Sequence, residues 1–281
     1  MPRPMTLGEK QRFRAYFPSL NVDAAVVTGE STIAYNCIAW TVGVTNRWLW
    51  PGPSIQQFDT FYRRLGFVRV SNGPIAVWGQ STSNMTHGSI SGQGHGPRWE
   101  SKCGHDLRIQ HGLGELAGST YGRVLAFYGR GLALAAFSVM VSEETIKQMT
   151  ATVTTRERSA VKRLVSEVES ETRQAFRAAF AAWKKTWFAG SLAISSDPHT
   201  RTVGKEFDAL VALGPKILPL VVEALLDRDN FLALQLYDVL QSDQHLIVQY
   251  EPDDERILGG EQGRASEVVK HWLACHATPV L

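Results

Sequence analysis

The chain has 281 residues, of which 44% are hydrophobic and 20% are charged, and its formal net charge is +2. This composition excludes disorder for the bulk of the chain and a collagen-like structure. So small a net charge argues against a nucleic-acid binder that works by bulk electrostatics. The first ten residues hold no apolar run typical of a secretory signal, and three cysteines are too few for a dense disulfide framework. We therefore expect a cytoplasmic protein, unless it is exported by another route, with no nucleic-acid or membrane partner.

The first half of the chain has a pattern of helices followed by strands. We expect helices at residues 7–16, 31–44 and 54–65, the last of them capped by Ser54. Short β-rich runs predict strands at residues 67–70, 75–78, 85–91, 99–103 and 124–128, with Gly and Pro clusters between them. Helices followed by an antiparallel sheet indicate an α+β domain, which we place at residues 1–135.

The second half of the chain is helical in its periodicity. Apolar residues at three- and four-residue spacing predict a helix over residues 156–188, and three short amphipathic helices follow between residues 207 and 239. A polar, Gly-rich stretch predicts a loop at residues 251–264, before a last helix at residues 265–274. We expect a connector at residues 136–155 and an all-α domain at residues 156–281, with HEAT-like or small-bundle packing and a surface that suits a protein partner.

Cys37 is the first candidate for chemistry. Asn36 before it is a favoured helix cap, so the thiol is expected in the first turn of a helix, partly exposed. The positive end of the helix and its free N–H groups then lower the pKa of the thiol and can hold an oxyanion. The alternative interpretation is a small buried cysteine of the core.

A nucleophilic cysteine needs a base, which is most often histidine. His87 lies in a strand-like segment, and a base held on a strand is rigid and can face the start of a helix packed on the sheet. His95 lies in a Gly-rich turn where exposure is expected, while His105 and His111 are second choices.

The order of these features resembles the NlpC/P60 branch of the papain-like cysteine hydrolases. A cysteine at a helix start is followed by a strand with Thr-His-Gly-Ser-Ile at residues 86–90 and then by another short strand. An uncharacterised group of relatives is similar in two places, in Tyr-Asn-Cys-Ile-Ala-Trp at residues 35–40 and in a Ser-Lys-x-Gly…His…Tyr-Gly pattern that starts at Ser101. The resemblance covers residues 20–130 and implies a papain-like domain.

The resemblance also implies roles for single residues. Cys37 is the expected nucleophile and His87 the expected base, while Glu100 or Ser101 orients the imidazole. These last two side chains point to opposite faces of a strand, and neither is the His, Asn or Asp usual at this place. Four residues remain as candidates for substrate or oxyanion contacts: Asn36, Trp40, Trp99 and His111.

Two functions follow from these observations. In the first, the protein is a cysteine hydrolase or acyltransferase that acts on an amide or ester of a peptide or small molecule, without cofactor or metal. In the second, it is a non-catalytic interaction protein whose helical domain docks a partner. A zinc site is a weaker alternative, since its candidate ligands lack the usual pairing: His87, His95, Cys103, His105 and His111.

Overall fold

The computed structural model describes residues 1–92, 98–131, 152–251 and 253–276. His95 and most of the predicted connector lie outside these residues. The described residues form two units, each with its own contacts. The sheet unit comprises the chain up to residue 131 together with Gly190–Asp197, and the helical unit comprises residues 152–189 and 198–276. The sequence pattern assigned Gly190–Asp197 to the helical domain, whereas its contacts are with the sheet unit.

The sheet unit is built on an eight-stranded, wholly antiparallel sheet in the order β1-β2-β7-β6-β5-β4-β8-β3. Its strands are β1 (Arg3–Pro4), β2 (Val26–Gly29), β3 (Phe67–Val70), β4 (Ile75–Ser81), β5 (Asn84–Ser91), β6 (Trp99–Lys102), β7 (Arg108–His111) and β8 (Arg123–Arg130). The predicted α+β class is therefore confirmed at this coarse level. The sequence pattern missed β1, β2 and β7, which have only two to four residues each.

Three helices of the sheet unit are α1 (Leu7–Tyr16), α2 (Cys37–Thr41) and α3 (Ile55–Arg64). Ser54 caps α3 as predicted, because its side chain accepts the N–H of Gln57. The helix expected at residues 31–44 is much shorter than predicted. Asn36 has an extended backbone and caps a helix that starts only at Cys37, and Gly43 follows its end with a φ of 77°.

The two faces of the sheet bury different aromatic clusters. On one face, Phe13 and Phe17 of α1 pack with Trp78 and Tyr121. On the other face, α2 and α3 lie on the sheet, and Tyr62 packs on Tyr128 with ring centroids 4.4 Å apart. All six of these aromatic side chains are buried. Each fully buried aromatic side chain of this kind contributes on the order of 2 kcal/mol through the hydrophobic effect. The sheet is thus covered on both faces, and polar groups inside it need protein partners.

The helical unit contains α4 (Thr155–Glu167), α5 (Ser170–Thr186), α6 (Lys205–Val211), α7 (Leu218–Ala224), α8 (Leu234–Leu240) and α9 (Gly260–His276), with short 3₁₀ turns between them. The single helix predicted over residues 156–188 is broken, since Val168 is extended with a ψ of 137°. The loop expected up to residue 264 also ends earlier, because α9 begins at Gly260. None of the helices in the described parts of the chain combines the length and apolar character needed to cross a bilayer.

Candidate active site

Asn36 fixes the start of α2 and thereby the position of Cys37. Its Oδ1 accepts the backbone N–H groups of Ala39 at 3.1 Å and of Leu49 at 3.2 Å, and its Nδ2 donates to the Leu49 carbonyl at 2.7 Å. The side chain is fully buried. These bonds occupy the amide, so Asn36 acts as a cap that ties α2 to the following loop, and the structure does not place it as an oxyanion donor.

The Cys37 thiol is fully buried, with an exposed fraction of 0%. Its Sγ donates to the Ser196 Oγ at 3.0 Å. Burial raises the pKa of the thiol to about 11, and the opposing effects of the Ser196 hydrogen bond and of the backbone N–H groups of Gly88 and Ile38 are smaller. The expectation of a partly exposed thiol with a lowered pKa is therefore wrong for this structure, because α2 has only five residues and its dipole is outweighed by burial.

The residues Gly190–Asp197, called the covering segment here, close the site over the thiol. The Ser196 carbonyl accepts the indole N–H of Trp48 at 2.8 Å, and the Ile194 carbonyl accepts the hydroxyl of Tyr121 at 2.8 Å. The Ala193 carbonyl accepts the backbone N–H of His105 at 2.7 Å. The segment is therefore hydrogen-bonded along its length to the sheet unit. Sequence reasoning missed Ser196, which is 159 residues from Cys37 and carries no motif of its own.

His87 lies on β5 with an exposed fraction of 0%. Its Nε2 is 2.9 Å from the Ser101 Oγ, and its ring stacks on Tyr121 with centroids 3.9 Å apart and an interplanar angle of 7°. Among the described residues, its Nδ1 has no hydrogen-bond partner. Burial lowers the pKa of His87 well below its usual value, so the imidazole is neutral near pH 7.

The hydrogen bonds around Ser101 assign the protons of both imidazoles. The Nδ1 of His111 donates to the Gly112 carbonyl at 2.8 Å, so its Nε2 accepts the Ser101 hydroxyl, also at 2.8 Å. Burial lowers the pKa of His111 to about 4, which excludes a second proton on this ring near pH 7. Because Ser101 has a single proton, the Nε2 of His87 must be the donor toward it, and Ser89 is the third partner at 2.8 Å. The Nδ1 of His87 is then a buried acceptor.

Glu100 and Ser101 lie on opposite faces of β6, as the alternation of a strand predicts. Glu100 is an acceptor for the Thr28 hydroxyl and forms an ion pair with Arg108 at 3.0 Å. Of the two candidates for orienting the imidazole, the structure therefore brings Ser101, and not Glu100, into contact with His87.

Gly88 is the point at which α2 meets the strand of His87. A Cβ at this position would lie 3.0 Å from the Ile38 Cδ1 and 3.1 Å from the Thr41 Cγ2, so glycine permits the close approach. Neighbouring side chains of a strand point to opposite faces, so His87 is directed away from the face on which α2 lies. The backbone N–H of Gly88, one residue from His87, lowers the pKa of the thiol, but the described hydrogen bonds do not join the thiol to the imidazole.

The remaining candidates lie in three different surroundings. Trp40 is half-buried and stacks under the guanidinium of Arg108 at 3.9 Å from the ring centroid, with a buried indole N–H that has no partner among the described residues. Trp99 packs edgewise on Phe127 with centroids 5.9 Å apart. His111 belongs to the Ser101 network. The hydrogen bonds and ring contacts described for Trp40, Trp99 and His111 do not join them to the thiol.

Metal ligation was the weaker alternative for the histidines. His95 lies outside the described residues, and within those residues no three His, Cys, Asp or Glu side chains are grouped as potential metal ligands. The ring nitrogens of His111 are both hydrogen-bonded to protein groups.

Comparison with known proteins gives one similarity. Residues 26–129 match a family described as a domain of unknown function (DUF7689). The match runs from β2 into β8 and includes Cys37, His87 and Ser101, whereas the helical unit lies outside it. Neither the curated proteins nor the solved structures include one that matches the chain.

Proposed function

We propose that this protein is a cysteine-dependent hydrolase or acyltransferase with a papain-like site, acting on an amide or ester through a thioester on Cys37. The observation that supports this proposal is the state of His87. Its ring is held by Ser101 on one side and by Tyr121 on its face, and its Nδ1 has no hydrogen-bond partner within the part of the chain that the structure describes. Deprotonation of a thiol requires a base with a free acceptor atom, and the Nδ1 of His87 can serve as that atom once it reaches the sulfur.

The two groups start as a neutral pair. The raised pKa of the Cys37 thiol and the lowered pKa of His87 keep both uncharged near pH 7. The proposed reaction requires a rearrangement that brings the Nδ1 of His87 to the thiol, because in this structure His87 is directed away from the face on which α2 lies. His87 then takes the thiol proton at Nδ1 while sulfur attacks the carbonyl carbon, and the backbone N–H groups of Ile38 and Gly88 are the candidate donors for the oxyanion. His87 then returns the proton to the leaving amine or alcohol. Water or an amine cleaves the thioester, which gives hydrolysis or acyl transfer.

Substrate access requires a change in the covering segment. Ser196 occupies the position beside the sulfur that a carbonyl carbon must take, and the thiol has no exposed surface. The structure therefore corresponds to a closed form in this proposal, and displacement of Ser196 opens it.

The test is acylation of the full chain by p-nitrophenyl acetate, followed by intact mass. The experiment is done in a Cys275→Ser background, because Cys275 is exposed and would react by itself. We expect one acetyl group that hydroxylamine removes, no adduct in Cys37→Ala, and a rate lowered roughly 100-fold or more in His87→Ala. Equal acylation of Cys37→Ala and of its parent would refute the proposal.

Partner docking by the helical unit is the second candidate. A groove of about 620 Å³ between α4 and α5 is lined by Lys162, Arg173 and Arg177 together with uncharged residues. The lining favours an acidic peptide, so we expect a fluorescent poly-glutamate peptide to bind and to lose affinity in Lys162→Gln and Arg177→Gln. Binding that is unchanged in both variants would contradict this role for the groove.

A further inference from the structure

Lys102 is a fully buried lysine that the proposed reaction leaves unused. Its exposed fraction is 0%, and its Nζ donates to the carbonyl oxygens of Gly104 and Asp106, each at 2.6 Å. The Nζ also lies over the ring of Tyr35, 5.5 Å from its centroid. Lysine is almost never fully buried without a compensating charge, and here its hydrogen bonds go to neutral carbonyls. Two hydrogen bonds this short suit an ammonium better than a neutral amine.

The strand register places Lys102 on the face of the sheet that α2 covers. Since Ser101 faces His87, its neighbour Lys102 faces the side on which α2 lies. β5 pairs with β6 at Ile90–Glu100 and Ser91–Trp99, and the same register continued places Lys102 opposite Gly88, the residue against which α2 packs. The electrostatic interaction between the two groups lowers the pKa of Cys37 and raises that of Lys102.

We propose that the Lys102 ammonium is the positive charge that stabilises the Cys37 thiolate, which makes it a positioning residue for the nucleophile. This inference rests on the proposed function. The proton of the thiol still passes to the Nδ1 of His87, and Lys102 neither gains nor loses one in the step. Lys102 is not the base in this proposal, because an ammonium has no lone pair with which to accept the thiol proton.

The charge on Lys102 depends on pH because of its surroundings. Burial lowers the pKa of Lys102 to about 7; Cys103, Asp106 and Cys37 raise it, and Arg108 on β7 lowers it further. The Tyr35 ring also faces it. Below pH 7 the ammonium is present and the thiolate fraction rises tenfold per pH unit. Above pH 7 the thiol continues to lose its proton, but Lys102 loses its charge in the same proportion. The fraction of molecules that hold both the thiolate and the ammonium therefore stays constant.

The experiment measures the pH dependence of iodoacetamide alkylation of Cys37 in the full chain with Cys275→Ser. We expect the logarithm of the parent rate to rise with pH and to level off near pH 7. Lys102→Met removes the break and lowers the rate at pH 6 by about tenfold or more, since one unit of thiol pKa is a factor of ten. Lys102→Arg stays charged, keeps the rate at pH 6 and also lacks the break at pH 7. Lys205→Met is the matched control, because the Lys205 side chain is 91% exposed, and it leaves the profile unchanged.

Two outcomes overturn the inference, and they differ from failure of the proposed function. A break near pH 7 that persists in Lys102→Arg shows that another group titrates there, and this arm decides the question if Lys102→Met does not fold. An unchanged rate at pH 6 in a folded Lys102→Met also overturns it. If the profiles change as expected while p-nitrophenyl acetate does not acylate Cys37, the charge interaction stands and the proposed catalytic function fails.

Discussion

Ser101→Ala removes the centre of a buried hydrogen-bond network, and its cost can be worked out from the structure. The Ser101 Oγ lies 2.9 Å from the His87 Nε2, 2.8 Å from the His111 Nε2 and 2.8 Å from the Ser89 Oγ. All four side chains have an exposed fraction of 0%. Alanine therefore leaves two donors and one acceptor buried without this partner, and each such group costs about 1–3 kcal/mol. Taking the lower figure for all three, we expect a loss of about 3 kcal/mol in the free energy of unfolding.

The measurement is urea unfolding at pH 7 followed by tryptophan fluorescence, with Ser83→Ala as the control. Ser83 is exposed and its hydroxyl contacts only exposed neighbours, so its removal is expected to change stability by less than about 0.5 kcal/mol. In Ser101→Cys, a weak donor of similar shape, part of the loss is recovered. A Ser101→Ala variant as stable as Ser83→Ala would refute the role of Ser101 as the shared partner of these three buried groups.

Two further predictions concern the cover of the site and its acid stability. Gly104 has a φ of 52°, and a Cβ there would lie 2.6 Å from the Ala193 carbonyl, so Gly104→Ala strains the covering segment by about 1–3 kcal/mol. We expect iodoacetamide to label Cys37 about tenfold faster in this variant, and an unchanged rate would show that the segment does not control access. The folded pKa of His111 is about 4 against a usual 6.5, so the unfolded chain takes up the proton first and about 3 kcal/mol of stability is lost as pH falls from 6.5 to 4. In His111→Gln we expect the urea midpoint of unfolding to fall less between pH 7 and pH 4 than in the parent. An equally steep fall in the variant would contradict the lowered pKa of His111.

Local signals in the sequence predicted those features of the fold that depend on neighbours in the chain. The caps at Asn36 and Ser54 are of this kind, since each side chain bonds to an N–H three residues later. The strand of His87 was found because its apolar and polar residues lie between clear turns. Strands β2 and β7 were missed because four residues carry too short a pattern, and their pairing partner is supplied by a distant part of the chain.

Features of the candidate site also differ in whether they depend on neighbouring residues or on distant parts of the chain. Strand alternation alone established that Glu100 and Ser101 face opposite sides, but which side His87 shares depends on the pairing of β6 with its neighbours. Ser196 could not be predicted, because a single serine in a turn has no signal that relates it to a cysteine 159 residues earlier. The buried state of Lys102 is a consequence of the same packing.

The pKa of the Cys37 thiol shows why a local motif was a poor guide to reactivity. A helix terminus contributes about 0.3–1 kcal/mol to a nearby charge, and the short α2 belongs at the low end of this range. Raising the thiol pKa from 9.0 to about 11 corresponds to about 3 kcal/mol, so burial dominates. In the proposed reaction, activation of this cysteine therefore comes from a change in its surroundings rather than from the helix. Ser196, whose hydroxyl is hydrogen-bonded to the sulfur, and Lys102, through its charge, both lower the pKa of the thiol.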